Sequence, residues 1–423
     1  MTPSPRSFPA EATTLAQQEI ASLSAKPGVR AAMDWFASQE AQFTRWQLDL
    51  ARIPAPPFGE GERAAWVAKR FGELGFSEVH HDEIGNVLAR RAGTRDSTIS
   101  ISAHIDTVFP SGTALNIRQQ GPRLYGPGIS DNAAGATALL AVAAACQRFH
   151  LLHDSSLLFV ANVGEEGEGD LRGMRHVFES PWKEKIVSSV VVDGAGTDTI
   201  VTEALGSRRF EVIIRGPGGH SWSDFGAPNP IVALAHAVHI FSQTRVPSSP
   251  KTTFNVGVIE GGTSVNSIPE LAKMRVDIRS ASSMEIERLE MDLRRSVEHA
   301  VEEEDARAQR SGSSQTYTRM RAEFRAIGNR PAGRLAANAR ILQLARAVDA
   351  HLGNSAQEQR ASTDANIPLS LGREAIAIGA GGQGGGAHTL QEWFDVTARD
   401  LALKRILLIV LALAGVSDSG AGQ

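Results

Sequence analysis

Two histidines and four carboxylates lie after predicted strands or at the start of a predicted helix, and these residue types bind divalent cations. They are His104, Asp131, Glu165, Glu166, Asp193 and His388. In an open α/β sheet, ligands bind beyond the carboxyl ends of the parallel strands, so residues that are far apart in sequence meet there. Histidines and carboxylates without cysteine suit Zn²⁺, with Co²⁺ or Mn²⁺ as substitutes. The pattern therefore predicts a metal site.

The number of candidate ligands predicts two ions. Five or six donors exceed what one tetrahedral zinc with an open position takes, whereas two ions about 3.5–4 Å apart share a bridging carboxylate. Adjacent side chains at a strand end point in different directions. One member of the Glu165–Glu166 pair can therefore bind metal, while the other serves as general base towards a metal-bound water and then protonates the leaving amine. Asp106 is placed to accept the second imidazole N–H of His104.

Each of these residues, taken alone, also has an ordinary explanation. His104 could be a strand-end histidine, and the Glu165–Glu166 pair a solvated acidic loop. Asp131 is most simply the N-cap of the helix that follows, and we expect it in that position, since one carboxylate oxygen would remain free for a metal. The prediction of a metal site therefore depends on the whole set.

Alternating strands and helices must hold these residues in place. The predicted helices, from apolar side chains at helical spacing, cover residues 29–53, 60–74 and 133–150. The predicted strands cover residues 98–103, 157–161, 190–192 and 375–378. This order predicts an α/β fold with a parallel sheet that helices cover on both faces.

Residues 207–326 have a different order of elements, β-α-β-β-α-β. The predicted strands cover residues 210–214, 253–259, 272–278 and 319–326, and the predicted helices 230–244 and 284–308. This order is typical of a ferredoxin-like domain. Because the strand–helix alternation resumes after it, we expect an inserted domain at 207–326. Residues 1–206 and 327–423 then form the two parts of one catalytic domain.

The composition excludes several classes of partner. The 423 residues include 43 basic and 47 acidic side chains, a net charge of −4, which leaves no broad basic surface for nucleic acid or anionic lipid. The single cysteine, Cys146, excludes an internal disulfide and lies in an apolar run typical of a core thiol. The N-terminus lacks a signal-peptide pattern, and the apolar run 406–416 is too short to span a membrane. We expect a cytoplasmic protein.

The segments around the candidate ligands resemble the five signature motifs of a co-catalytic zinc metallopeptidase family. This family includes peptidase T, carboxypeptidase G, aminoacylase and the acetylornithine and succinyl-diaminopimelate deacylases. The segments are residues 102–108 (SAHIDTV), 128–135 (GISDNAAG), 164–167 (GEEG), 191–194 (VVDG) and 384–389 (GGGAHT). They occur in the family's order and span nearly the whole chain. The resemblance implies a zinc-exopeptidase-like α/β fold, with a mixed, largely parallel sheet flanked by helices. It also implies that the inserted ferredoxin-like domain is a lid that makes a homodimer.

The resemblance also implies which residues bind metal, with two Zn²⁺ per chain and Asp131 as the bridge. One zinc would be bound by His104, Asp131 and Asp193, and the other by Asp131, Glu166 and His388. Glu165 would be the general acid/base, and Asp106 would orient the histidine.

In the inserted domain the resemblance covers three further residues. His220, in residues 216–221 (GPGGHS), matches the lid histidine that reaches the partner subunit's active site and stabilises the oxyanion. Asn266, in residues 261–266 (GGTSVN), matches an asparagine that contacts substrate. Arg279, which ends residues 276–279 (VDIR), matches the arginine that binds a substrate carboxylate through its bidentate fork.

These features predict a hydrolase of amide or peptide bonds. Asp193 is an aspartate where deacylases and carboxypeptidases of this family tend to carry glutamate, which favours an aminopeptidase similar to peptidase T that acts on small peptides. The alternatives are an N-acyl amino acid deacylase or a carboxypeptidase of the same family. A more distant alternative is a metal-binding protein without turnover, which would need neither Glu165 nor His220.

Overall fold

The computed structural model describes residues 10–310 and 318–416, which form two compact units. The described residues up to Ala204, together with those from Arg334 onward, form one unit, which we call the discontinuous unit. Leu205–Gly333 forms the other, which we call the inserted unit. Each unit has a hydrophobic core of its own.

The bounds of the helices and strands follow in chain order. The helices are α1 (Ala10–Ala25), α2 (Pro27–Ser38), α3 (Glu40–Ala51), α4 (Gly61–Glu73), α5 (Ala133–Arg148), α6 (Arg172–Glu179), α7 (Trp182–Lys185), α8 (Pro230–Ser242), α9 (Ser283–Arg310), α10 (Arg340–Leu352), α11 (Asn366–Ser370) and α12 (Arg399–Ala414). The strands are β1 (Glu78–His81), β2 (Val87–Arg91), β3 (Arg95–His104), β4 (Arg118–Gln120), β5 (Arg123–Tyr125), β6 (Ser155–Asn162), β7 (Ile186–Val192), β8 (Thr199–Ala204), β9 (Gly206–Arg215), β10 (Gly219–His220), β11 (Thr252–Gly261), β12 (Ser267–Ile268), β13 (Leu271–Ser280), β14 (Arg321–Arg330), β15 (Gly333–Arg334), β16 (Gln357–Ala361), β17 (Glu374–Ile378), β18 (Gln383–Gly385) and β19 (Trp393–Asp395).

A nine-stranded mixed sheet organises the discontinuous unit, in the order β1-β2-β6-β3-β7-β17-β8-β15 with β16 beside β8. The central strands β6, β3, β7 and β17 are all parallel to their neighbours in this group. The pairs β1–β2, β2–β6 and β17–β8 are antiparallel. The predicted α/β class with a mixed, largely parallel sheet is confirmed.

Helices cover both faces of this sheet, and its strand β6 carries apolar side chains on both sides. Along β6, Leu157 and Phe159 belong to the large core with α5 and α12, whereas Leu158 and Val160 pack in a second cluster with residues of α6. Every residue of β6 is buried. A strand buried on both faces reads as a continuous apolar run, which is why the sequence reveals it.

The prediction of one long helix over residues 29–53 was wrong. Residues 29–53, expected as one helix, form α2 and α3, which are separated at Gln39. The hydroxyl of Ser38 donates to the carbonyl of Trp35 at 2.7 Å, and Gln39 leaves the helical conformation at φ −104° and ψ 7°. The apolar spacing continues across the break, so periodicity alone does not reveal it.

The inserted unit is a four-stranded antiparallel sheet in the order β11-β13-β9-β14. Its core lies between one face of this sheet and the helices α8 and α9. The strand β14 continues to Arg330, beyond the predicted strand end at residue 326. Across both units, no helix within the described residues is long and apolar enough to cross a lipid bilayer.

Candidate metal centre

The candidate ligands of the discontinuous unit meet at the carboxyl ends of its central strands. His104 is the last residue of β3, and Asp193 directly follows β7. The Glu165–Glu166 pair lies in the loop after β6, and Asp131 precedes α5. Three neighbouring parallel strands thus place a histidine and three carboxylates at one edge of the sheet. Ligands bind at this edge, beyond the carboxyl ends of the strands, in open α/β sheets.

The ligand atoms form three triads, one of His104, Glu165 and Glu166 and two that share Asp131. Of these two, His104, Asp131 and Asp193 form one, and Asp131, Glu166 and His388 the other, each with its ligand atoms within 4.8 Å of one another. Nε2 of His104 lies 3.1 Å from Oδ1 of Asp131 and 3.6 Å from Oδ1 of Asp193. Nε2 of His388 lies 3.1 Å from both Oδ2 of Asp131 and Oε1 of Glu166. The two oxygens of Asp131 therefore face different triads, which is the geometry of a bridging carboxylate.

The electrostatic environment of this cluster favours the binding of a cation. Burial lowers the pKa of His104, but the surrounding aspartates raise it well above its usual value. The hydrogen bond with Asp131 raises the pKa of His388 to about 9. Burial, together with the charge of Asp131, raises the pKa of Glu166 to about 7. Crowded carboxylates thus attract positive charge to this position, and imidazole nitrogens with carboxylate oxygens are a donor set that fits Zn²⁺, Co²⁺ or Mn²⁺.

Asp106 contacts the loop of the two glutamates more closely than it contacts His104. Its Oδ1 accepts from the backbone N–H of Glu165 at 3.0 Å, and its Oδ2 accepts from that of Glu166 at 2.8 Å. Its distance to Nδ1 of His104 is 3.5 Å, longer than an ordinary hydrogen bond. The fully buried carboxylate of Asp106 therefore holds the backbone of two functional residues, a contact that the sequence does not reveal.

The expected N-cap of α5 was wrong by one residue. Asn132, rather than Asp131, occupies the cap, and its Oδ1 accepts from the backbone N–H of Gly135 at 3.0 Å. Both residue types cap helices well, so the sequence cannot choose between neighbours. Because Asn132 satisfies the helix, both carboxylate oxygens of Asp131 are available to the two triads.

A further buried carboxylate, which was not predicted as a ligand, contacts the end of β6. Asp364 is fully buried, and its Oδ2 accepts from Nδ2 of Asn162, the last residue of β6, at 2.6 Å. Burial raises the pKa of Asp364 to about 7, while the charge of His104 lowers it. The polar run around Asp364 resembles a surface loop, so no pattern in the sequence predicts its burial.

The inserted unit brings two of its three predicted site residues together. His220 pairs with Ser267 between β10 and β12, and the N–H of Ser221 donates to the carbonyl of Asn266 at 3.0 Å. His220 and Asn266 thus lie on adjoining segments of one exposed loop pair. Arg279 lies separately on β13, where its Nε donates to Oδ2 of Asp277 at 2.6 Å.

The profile of Peptidase family M20/M25/M40 matches residues 100–412 of this chain. A probable carboxypeptidase from Aspergillus clavatus is 30% identical over 260 residues, which cover 55% of this chain and 57% of the relative. A succinyl-diaminopimelate desuccinylase from Nitrosococcus oceani is 28% identical over 249 residues, 54% of this chain and 65% of the relative. The matches thus span less than two thirds of these curated relatives. The crystal structure of aminopeptidase PepT from Bacillus cereus has a TM-score of 0.69 at 20% identity and covers 89% of this chain and 99% of that one.

Proposed function

Since the chain belongs to Peptidase family M20/M25/M40, we propose that it is a metal-dependent hydrolase that cleaves an amide bond in a small peptide-like substrate. The observation that carries this proposal is the pair of triads that share Asp131. A structural role would explain one histidine–carboxylate pair, but it does not explain two triads at the ends of parallel strands. We therefore assign the triads to two divalent ions.

In this proposal each triad holds one ion, which we expect to be Zn²⁺, with Co²⁺ or Mn²⁺ as substitutes. His104, Asp131 and Asp193 would bind the first, and Asp131, Glu166 and His388 the second. When bound, such ions polarise a scissile carbonyl and lower the pKa of a coordinated water. The remaining steps depend on residues of the chain itself.

Glu165 is the residue that we assign to proton transfer. It is buried beside Glu166, and one of its carboxylate oxygens lies within 4.8 Å of a ring nitrogen of His104. The bond from its backbone N–H to Asp106 holds its position. From there its carboxylate would take a proton from the attacking water and deliver it to the leaving amine.

His220 is proposed to donate a hydrogen bond to the oxyanion that forms during amide cleavage. Its Nδ1 accepts from the N–H of Trp222 at 3.2 Å. A neutral imidazole that accepts at Nδ1 carries its proton on Nε2, so the outer nitrogen of this exposed ring is a donor. A preformed donor of this kind stabilises developing negative charge. Asn266, on the adjoining segment, is proposed to contact substrate.

The inserted unit is proposed to form a homodimer, through which His220 would act in the partner's site. Residues 257–261 of its edge strand β11 are exposed, including the apolar Val258 and Ile259. Ile231 and Val232 of the neighbouring α8 are also exposed, and the side chain of Ile231 lies against Gly261. An unpaired strand edge beside exposed apolar side chains favours pairing with a second copy.

We propose an aminopeptidase acting on small peptides as the more specific activity, in a cytoplasmic setting. The aspartate at position 193 and the structural similarity to the Bacillus cereus aminopeptidase support it. A second candidate, a deacylase or carboxypeptidase, is favoured by the curated relatives and by Arg279, whose half-exposed guanidinium suits a substrate carboxylate.

One tripeptide offered in two forms, with its N-terminus free or acetylated, separates these candidates. We expect the zinc-loaded protein to release only the N-terminal residue from the free form, detected by mass, and a chelator to abolish the release. Release of acetate or of the C-terminal residue from the acetylated form would instead assign the second candidate.

Glu165→Gln tests the proposed proton transfer in the same assay. We expect it to bind metal normally and to lose activity by about 10²–10⁴-fold, because general acid/base catalysis contributes that much. Glu168→Gln, which removes an exposed carboxylate from the same loop, is the matched control and should leave activity unchanged. Near-full activity of the Glu165 variant with two bound ions would refute the assigned mechanism.

A further inference from the structure

A fully buried glutamate joins the two chain segments that carry the shared ligand and the second histidine. Glu392 lies four residues after His388 and has no exposed surface. Its side chain reaches the loop that ends in Asp131, although the two segments are separated by the whole inserted unit. Neither the motifs nor the spacing of the sequence singles out this residue.

The carboxylate of Glu392 accepts three backbone N–H groups of that loop. Its Oε1 accepts from Ser130 at 2.7 Å and from Asp131 at 2.8 Å, and its Oε2 accepts from Gly128 at 2.8 Å. Its own carbonyl accepts a fourth bond, from the N–H of Gly126 at 3.0 Å. Three backbone N–H groups of one loop thus bind a single buried carboxyl group, and this residue fixes the loop backbone up to Asp131 itself.

Glu392 also constrains the position of His388. The backbone N–H of Glu392 donates to the carbonyl of Thr389 at 3.3 Å, which closes a tight turn directly after His388. One residue thus contacts the backbone beside both partners of the 3.1 Å approach between Nε2 of His388 and Oδ2 of Asp131. Small shifts in either segment would change that distance directly.

We infer that Glu392 is a positioning residue that sets the spacing between Asp131 and His388 for the second ion. The inference rests on the proposed function, because it presumes that these two residues share an ion. Replacing a residue that orients a metal ligand without touching the metal lowers metal affinity by about 10–100-fold. Glu392 acts here on the ligand backbone and touches neither substrate nor reacting atoms.

Metal binding by the full chain tests this inference without reference to activity. Metal-free wild type, Glu392→Gln and Glu392→Asp are titrated with Zn²⁺ by calorimetry, and their Co²⁺ absorption spectra are compared. In Glu392→Gln an amide N–H₂ replaces an acceptor and faces a backbone donor. We expect one of the two ions to bind at least tenfold more weakly, with a changed Co²⁺ spectrum. Glu392→Asp keeps the carboxyl group but shortens the side chain by one methylene. It should weaken the binding of the same ion, and it replaces Glu392→Gln in the test if that variant does not fold.

Glu374→Gln provides a matched control for the loss of a backbone-capping carboxylate. Glu374 accepts from the N–H groups of Arg340 and Ile341, both at 3.0 Å, at the start of α10. We expect this variant to lose stability but to keep both metal affinities within twofold of wild type. Equal loss of affinity in both glutamine variants, or wild-type affinity in the Glu392 variants, would overturn the inference while leaving the proposed function intact. A wild-type protein that binds no ion would overturn both.

Discussion

Replacing Asp106 by asparagine tests whether a buried carboxylate determines where the proposed general base stands. The side chain of Asp106 is fully buried, and each of its oxygens accepts one backbone N–H, from Glu165 at 3.0 Å and from Glu166 at 2.8 Å. Asparagine keeps one acceptor oxygen, but its N–H₂ group must face the other backbone donor. One charge-assisted bond is lost, and a buried N–H is left without an acceptor.

The expected loss follows from those two bonds. A hydrogen bond to a charged group contributes about 1.5–3 kcal/mol, so the free energy of unfolding should fall by about that amount. The folded variant should also turn over more slowly, because a displacement of about 1 Å in a catalytic group lowers the rate by roughly 10²-fold. We expect kcat of Asp106→Asn to fall about 100-fold while KM changes little, because the substrate contacts are retained.

Urea unfolding and steady-state kinetics on metal-loaded protein measure these two effects separately. Asp395→Asn is the matched control, since Asp395 accepts from the N–H of Thr397 at 3.0 Å but contacts none of the proposed ligands. Its kcat should remain within twofold of wild type. If Asp106→Asn loses stability but keeps its kcat, the two bonds do not position Glu165. If it loses neither, the hydrogen-bond argument itself is wrong.

Two further predictions concern the charge of the centre and the partner chain. The folded pKa values of His388 (about 9) and Glu166 (about 7) lie above their ordinary values of 6.5 and 4.5, so the folded metal-free chain holds protons that the unfolded chain releases. This stabilisation is complete below pH 4.5 for Glu166 and below pH 6.5 for His388, and it is lost as pH rises through about 7 and 9. Urea unfolding of chelator-treated protein should therefore show lower stability at pH 9 than at pH 7, and a rise would contradict these charges. For the partner chain, mixing the inactive variants His220→Ala and Glu165→Gln should restore part of the activity if His220 acts across a dimer. Mixtures as inactive as the separate variants would argue that each His220 serves its own chain.

Strand ends were the part of the site that the sequence revealed most directly. The residues before His104 alternate between apolar and small polar side chains along β3, and those before Asp193 are an apolar run at the end of the buried strand β7. Such runs stop where the chain meets solvent or ligand, so the residue after each run is placed at the sheet edge. The same signal located β6 and, less directly, the loop of Glu165 and Glu166. Local patterning therefore predicted the parallel centre of the sheet and the residues that directly follow its strands.

The groups that position those residues could not be predicted in the same way. Asp106, Asp364 and Glu392 are buried carboxylates whose partners come from distant segments, and buried acids have no periodic signature. The choice of Asn132 over Asp131 as helix cap depends on a one-residue difference between two good capping residues. In each case tertiary contacts decide the outcome, and a single sequence carries no record of them.

The position of the inserted unit within the chain determines which parts of the protein can fold first during translation. Its first and last strands, β9 and β14, are neighbours, with Ser207 opposite Arg330, so the unit can close on itself as soon as it has been translated. The larger sheet cannot, because β17 lies between β7 and β8 and is made only afterwards. His388 and Glu392 follow later still. A nascent chain would thus carry a finished insertion while the candidate metal centre is still incomplete, and the centre could form only after the residues up to Glu392 have been synthesised.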